Sequence, residues 1–195
     1  MRVLLLLAHP SPASLTHAAA KAATTALRSA GHHVDVVDLY AIGYRAQMSP
    51  EERHAYHTDD PIVDPTVAEH VALLKQADAL VFCYPTWWST LPAILKAWFE
   101  RTMVPGVGFV FNDNGKVRPG LRHVKQIVGI STYGSKWWYV KAMNDNGRRT
   151  IQRALHISTG FKTRTSWIPL YAVDTSTVAQ REAFLAKVTK QMASL

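Results

Sequence analysis

Three stretches of this chain combine aromatic, hydroxyl and glycine residues in a way that suits a planar, phosphate-bearing ligand. The first is Ala8-His9-Pro10-Ser11-Pro12-Ala13-Ser14-Leu15-Thr16-His17. Its two prolines stiffen a turn, and Ser14 stands where it would cap a following helix. The free N–H groups and positive dipole end of such a helix form a natural seat for phosphate, to which His9 and Thr16 could add donors. The competing reading is a capped loop with solvent-facing polar residues. The stretch is neither a Walker loop nor a Gly-x-Gly-x-x-Gly turn, which weighs against ATP chemistry and against the ordinary dinucleotide fold.

The second stretch is Tyr84-Pro85-Thr86-Trp87-Trp88-Ser89-Thr90-Leu91-Pro92. Two adjacent tryptophans in a polar loop cannot both turn to the core, and an exposed flat aromatic surface is suited to meeting another flat surface. The blander reading, one Trp packed over a sheet edge, accounts for half of the pair. The third stretch is Ser131-Thr132-Tyr133-Gly134-Ser135-Lys136-Trp137-Trp138-Tyr139. Hydroxyl residues around a glycine allow close backbone approach to a ligand, because Gly has no Cβ to obstruct it. The aromatic run after it would wall a pocket or a subunit interface, unless it is a plain turn before a core-packed helix.

The elements that must position these loops alternate along the whole chain. Residues 3–8 form a short continuous apolar run, as expected of a strand buried on both faces. Residues 14–30 are rich in Ala and Leu and close at Gly31, a helix with a C-terminal glycine. Further strands are expected at 34–39, 79–84, 126–130 and 165–170. Helices are expected at 67–76, 92–103, 144–156 and 178–192. Residues 41–65 carry no clear period and read as a long excursion with one short helix at 50–56. Five such alternations imply a parallel sheet with helices on both faces, since crossovers are right-handed. Ligands then bind beyond the carboxyl ends of the strands, and all three unusual stretches directly follow strands.

Composition narrows the partners. With 195 residues, 48% hydrophobic and 18% charged, the chain has material for one domain, 1–195, with a sizeable core. Lys and Arg number 22 against 14 Asp and Glu, a net charge of +8 that suits a phosphorylated ligand. The basic residues are scattered and no nucleic-acid motif occurs, so no nucleic-acid partner is expected. The single cysteine, Cys83, forms no intrachain disulfide and no metal cluster, and its apolar neighbours mark it as a core residue. The N-terminal apolar run stops at His9-Pro10, shorter than a secretory h-region, and no stretch approaches a membrane span, so a cytoplasmic protein is expected.

These motifs resemble the NAD(P)H:quinone oxidoreductase branch of the flavodoxin-like flavoproteins, the DT-diaphorase-like family. The resemblance rests on Ala8-His9-Pro10 with Ser14, on Tyr84-Pro85-Thr86-Trp87-Trp88 running into Leu91-Pro92-Ala93-Ile94-Leu95-Lys96-Ala97-Trp98-Phe99-Glu100-Arg101, and on Ser131-Thr132-Tyr133-Gly134-Ser135. It covers nearly the whole chain. It implies a flavodoxin-like three-layer α/β sandwich with a five-stranded parallel sheet in the order 2-1-3-4-5. It implies a non-covalent flavin, with His9, Ser14, Leu15 and Thr16 at its phosphate-bearing chain. Pro85, Thr86, Trp87, Trp88 and Ser89 would line the ring, and Ser131, Thr132, Tyr133, Gly134 and Ser135 would lie at its polar pyrimidine end. The implied activity is ping-pong hydride transfer from NAD(P)H to a quinone or similar acceptor. Tyr139 matches by spacing a family tyrosine that assists proton movement. The family's accompanying histidine falls near Asp145, where this sequence departs from the pattern. FAD is the expected flavin, because the 41–65 excursion could cover an adenine, with FMN the alternative. A homodimer with sites at the subunit boundary is implied, and no metal.

Other readings stay open at this stage. An electron-carrier flavodoxin would resemble acidic proteins with a Thr- and Gly-rich first loop, unlike this basic chain. A flavin-binding regulatory subunit of a membrane potassium efflux system belongs to the same resemblance. A module that has kept the fold and lost the cofactor is the third, since fold alone never establishes activity.

Overall fold

In the central strands, successive side chains enter two different cores. The computed structural model describes residues 1–195. In β1 (Arg2–Leu7), Val3, Leu5 and Leu7 pack with Ala19, Ala23 and Leu27 of α1 (Leu15–Ser29) and with Phe184 and Val188 of α8 (Val178–Ala193). Leu4, Leu6 and Ala8 face the other way, toward Val67, Val71 and Leu74 of α3 (Pro65–Gln76) and Leu95 and Trp98 of α4 (Ala93–Thr102). The period of two makes this division automatic, and burial on both faces is why the run is continuously apolar. Cys83 is fully buried in the first of these cores.

The sheet is parallel with five strands in the order β2-β1-β3-β6-β7, which is 2-1-3-4-5 when its own strands are counted. β1 lies between β2 (His33–Asp38) and β3 (Ala79–Thr86), with β6 (Gln126–Tyr133) beside β3 and β7 (Arg164–Leu170) beside β6. The chain leaves β1 toward β2 and later returns to its other side as β3. The crevice between β1 and β3 is therefore the switch point, flanked by the loops after both strands.

Several elements differ from expectation. β3 and β6 run two and three residues further than expected, so Pro85, Thr86, Ser131, Thr132 and Tyr133 are strand residues rather than loop residues. Their pairing, Tyr84 to Ser131, Pro85 to Thr132 and Thr86 to Tyr133, continues the ladder to the sheet edge. The aromatic run is a short exposed helix, α5 (Trp137–Ala142), not a loop. The helix expected at 144–156 is broken. Asp145 takes a left-handed conformation, and α6 (Asn146–Arg149) passes through a π-helical turn, Thr150–Ala154, into α7 (Leu155–Ser158). A small antiparallel hairpin, β4 (Phe109–Phe111) with β5 (Val117–Pro119), was not anticipated. The expected short helix of the excursion is present as α2 (Pro50–Ala55), with Ser49 and Glu52 forming a reciprocal capping box.

The excursion is tied down by charge. Arg101 of α4 is buried; its Nε donates to Glu52 at 2.6 Å and its Nη2 to Asp64 at 2.6 Å. Its Nη1 donates to the Arg45 carbonyl at 2.7 Å, and its guanidinium lies 4.9 Å from the Tyr44 ring centre. Burial pushes the Tyr44 hydroxyl up to about 12, so it stays protonated.

Candidate functional site

The first loop ends in a capped helix. The Ser14 hydroxyl accepts from the His17 N–H at 3.2 Å and lies 3.1 Å from His17 Nδ1, while His17 Nε2 is 3.1 Å from Asp38. Ser14 is thus engaged in holding the turn, Leu15 is half-buried, and Thr16 is buried, its side chain turned from solvent. The N–H groups of Leu15 and Thr16, in the first turn, have no intrahelical partner and point out of the helix end. His9 accepts from the Ser11 N–H at 3.0 Å through Nδ1, which leaves Nε2 to carry the ring proton. Burial holds His9 below its ordinary pKa, with nearby His17 acting in the same direction against a hydrogen bond to Ser11, so the ring is neutral near pH 7.

The second loop is a strained turn. Trp87 and Thr90 exchange both backbone hydrogen bonds, at 3.2 and 3.0 Å, around Trp88 and Ser89. The two central residues have φ of +47° and +61°, the left-handed values a type I′ turn requires and that side-chain-bearing residues rarely adopt. The turn holds Trp88 97% exposed. Trp87 lies 5.9 Å from the His9 ring, joining the second loop to the first. The Thr86 hydroxyl is 3.0 Å from that of Ser131, and Pro85 is buried in the ladder opposite Thr132.

The third segment divides at the end of β6. Ser131, Thr132 and Tyr133 are buried, while Gly134 and Ser135 are exposed. The Tyr133 hydroxyl donates to Asp145 at 3.0 Å and accepts from the Trp167 indole at 3.0 Å, and its ring stacks on Tyr171. Burial, reinforced by the Asp145 carboxylate, pushes its pKa far up, so it is a fixed donor and not an acid. A Cβ on Gly134 would stand 2.8 Å from an Asp174 oxygen, so a side chain here would have to displace that carboxylate.

These pieces meet around a cavity of about 570 Å³ lined by Thr86, Trp88, Ser89, Tyr133, Gly134, Ser135, Tyr139, Met143 and Asn146. The second and third motifs and Tyr139 share it. His9, Ser14, Leu15 and Thr16 lie outside it, at the neighbouring helix end. Met143 and Asn146 escaped the sequence reading; the four-residue step from Tyr139 to Met143 along α5 was the available signal. A larger cavity, about 660 Å³, lies between α1 and α8 and is lined mainly by Ala and Thr. It is remote from the strand ends and carries no planar wall, so we assign the chemistry to the smaller one. No group of three or more His, Cys, Asp or Glu side chains is placed to hold a metal.

The cavity fits a flat heterocycle. Trp88 and Tyr139 offer aromatic faces, and Thr86, Ser89 and Ser135 offer hydroxyls. The exposed backbone at Gly134 admits a ring edge, and the α1 terminus is free for a phosphate.

A family model described as a flavodoxin-like fold matches residues 1–195. A ribosyldihydronicotinamide dehydrogenase-like protein of Penicillium crustosum is 32% identical over 137 residues, covering 63% of this chain and 51% of that protein. NAD(P)H dehydrogenase [quinone] 1 of Rattus norvegicus is 29% identical over 153 residues, covering 71% of this chain and 56% of that protein. In these matches the chain spans about half the length of its curated relatives. The solved structure of an NAD(P)H:quinone oxidoreductase from Methanothermobacter marburgensis superposes with a TM-score of 0.84 at 26% identity, covering 100% of this chain and 96% of that one.

Proposed function

The chain belongs to the flavodoxin-like fold family, and from that premise we propose a flavin-dependent NAD(P)H oxidoreductase that reduces quinone-like acceptors. The observation that carries the reading is the cavity at the ends of β3 and β6, walled by Trp88 and Tyr139 and opening beside the free N-terminus of α1. The names of the rat and archaeal relatives support the same activity. A bound flavin would supply reversible acceptance of a hydride. What the chain supplies is placement.

The Leu15 and Thr16 N–H groups, with neutral His9 beside them, would hold the flavin phosphate without placing a second full charge there. Ser14 keeps that helix end open by capping it at His17. The Trp87–Thr90 turn, with Pro85, Thr86 and Ser89, would line the ring. Its rigid hydrogen bonds hold the ring in one orientation toward the incoming donor. Gly134 and Ser135 would meet the pyrimidine edge, where donors favour the reduced form by stabilising developing negative charge. Ser131 and Tyr133 would act from behind, fixing that edge through Thr86 and Asp145, with Thr132 between them in the strand. Tyr139, exposed at the mouth, would present its hydroxyl to an acceptor oxygen and hold a proton there. We further propose FAD over FMN, because the excursion anchored by Arg101 provides cover for an adenine end, and a homodimer as the working unit. No helix is long and apolar enough to cross a membrane.

The test is the visible spectrum of purified protein with added FAD or FMN, followed by NAD(P)H without oxygen. Flavin bands that bleach on adding the nucleotide, and return with a quinone, are expected. Bands that never bleach would replace the enzyme with a carrier or regulatory protein, and no bound flavin would remove the proposal.

A further inference from the structure

Behind the wall of the ring cavity lies a second, smaller one of about 200 Å³ that is lined by no hydrophobic residue. Lys141, Arg148, Arg149 and Arg153 contribute to it, with Asp145 and Gln152. Five basic side chains elsewhere pair with carboxylates: Arg2 with Asp35, Arg45 and Arg101 with Glu52 and Asp64, Lys96 with Glu100, and Lys125 with Asp78. Here Lys141, Arg149 and Arg153 form no ion pair, and Arg148 only approaches Asp145, at 4.0 Å. Four cations face the single carboxylate of Asp145, so the space keeps a positive surplus that a doubly charged anion would neutralise.

The cavity is also prepared on one side. Arg148 Nε is pinned to Gln152 at 2.8 Å, which holds the guanidinium fork in place. Asp145 is 5% exposed, and its Oδ2 has no hydrogen-bond partner while Oδ1 accepts from Tyr133. That buried carboxylate faces Arg148 and ties the basic cavity to the floor of the ring cavity through a single side chain.

Position selects among phosphorylated ligands. Tyr139, Met143 and Asn146 line the ring cavity, and Lys141, Asn144 and Arg148 line the basic one. The two spaces share the Asn144-Asp145-Asn146 wall, braced by the Asn144 to Asn146 side-chain hydrogen bond at 2.9 Å. A donor dinucleotide with its nicotinamide over the ring cavity would carry its distal half across this wall. A nucleic-acid backbone needs a continuous basic track, whereas these four basic residues gather around one small seat. We infer that the basic cavity binds the 2′-phosphate of NADPH, making the phosphorylated dinucleotide the preferred hydride donor. The inference rests on the proposed oxidoreductase reading and adds the identity of its donor.

Two measurements on the whole protein test it. The first is calorimetric binding of 2′,5′-ADP, 5′-AMP and inorganic phosphate, which needs no flavin and no turnover. The second is KM for NADPH and NADH with the flavin-loaded protein and a quinone, in the original chain and in the Arg149→Gln/Arg153→Gln variant, at two salt concentrations. We expect 2′,5′-ADP to bind about tenfold or more tightly than 5′-AMP, the size of one or two charge-assisted contacts to phosphate. The double substitution should raise KM for NADPH about tenfold relative to that for NADH, and added salt should do the same in the original chain. Equal binding of 2′,5′-ADP and 5′-AMP overturns the inference, as does a parallel change for both dinucleotides. Inorganic phosphate binding as tightly as 2′,5′-ADP would reassign the cavity to a free phosphate. A protein that takes up no flavin but prefers 2′,5′-ADP would sink the oxidoreductase reading and leave the cavity's phosphate specificity standing.

Discussion

Trp88 is held in a backbone conformation that costs stability, and only a use for its exposed face would repay that cost. A non-glycine residue in the left-handed region costs about 1 kcal/mol or more, and Ser89 beside it shares the conformation. Trp88→Gly relieves the strain and removes the ring at once. We expect the flavin-free variant to gain about 1 kcal/mol in urea unfolding. Its flavin should dissociate more readily, read as quenching of flavin fluorescence on titration. A variant that loses stability, or that retains flavin as well as the original chain, would separate the strained turn from the ligand. At this scale the sequence was informative about Trp88, whose neighbours were too polar for a core. It set Tyr133 among the ring-edge residues by family resemblance and was silent on its burial. Once β6 extends to residue 133, parity turns Tyr133 with Ser131 and Ile127 to one face and makes it a buried partner of Asp145. Asp145 itself was visible only as a departure from the family pattern. Its left-handed backbone, which breaks the expected helix, depends on tertiary contacts that no local propensity encodes.

Among the elements, the weakest by sequence became the most firmly tied. The excursion lacks periodicity because charge, not an apolar stripe, fastens it: Arg101 reaches from α4 to Glu52 at α2 and to Asp64, the cap of α3. Such a pairing over 37 and 49 residues of chain leaves no local pattern to read. Arg101→Met would leave buried Glu52 with only the exposed Arg45 and the Ser49 N–H as partners, and we expect a loss of about 3 kcal/mol in urea unfolding. Adding Glu52→Gln to that variant should recover part of it; no recovery would mean that packing, not charge, holds the segment. Burial alone would raise the Asp64 carboxyl, but the Val67 N–H and the guanidinium groups of Arg45 and Arg101 outweigh it and hold it below its ordinary value. The folded chain therefore takes up this proton less readily than the unfolded one. The stabilisation is complete above about pH 4 and drains away as pH falls through the lower folded value. The Arg101→Met variant should show a flatter decline of stability over that acid window than the original chain. An equally steep decline would place the acid sensitivity elsewhere. The long strands and helices, by contrast, were legible from two- and 3.6-residue periods, while the β4–β5 hairpin, three residues a side, was too short to give one.

For the molecule as a whole, the parallel sheet followed from alternation and handedness and its order from the family resemblance, but what covers its working edge followed from neither. Trp88, Trp137, Trp138, Tyr139 and Met143 are all exposed, and all stand on the turn and the α5 segment that form the mouth of the ring cavity. A lone exposed aromatic needs no explanation, whereas several gathered around one opening form a patch of the kind that closes against another surface. A two-fold partner is the most economical one, because it buries the same patch on both copies. We expect light scattering at micromolar concentration to give twice the 21.7 kDa chain mass. Trp138→Glu, which buries a charge in such a contact but leaves the cavity lining untouched, should shift the mass toward one chain. Flavin affinity should fall with it, because the cavity would lose the wall supplied by the second copy. A chain that is monomeric yet holds flavin at full affinity would show that the exposed rings serve ligands alone, and the site would then be complete within one copy.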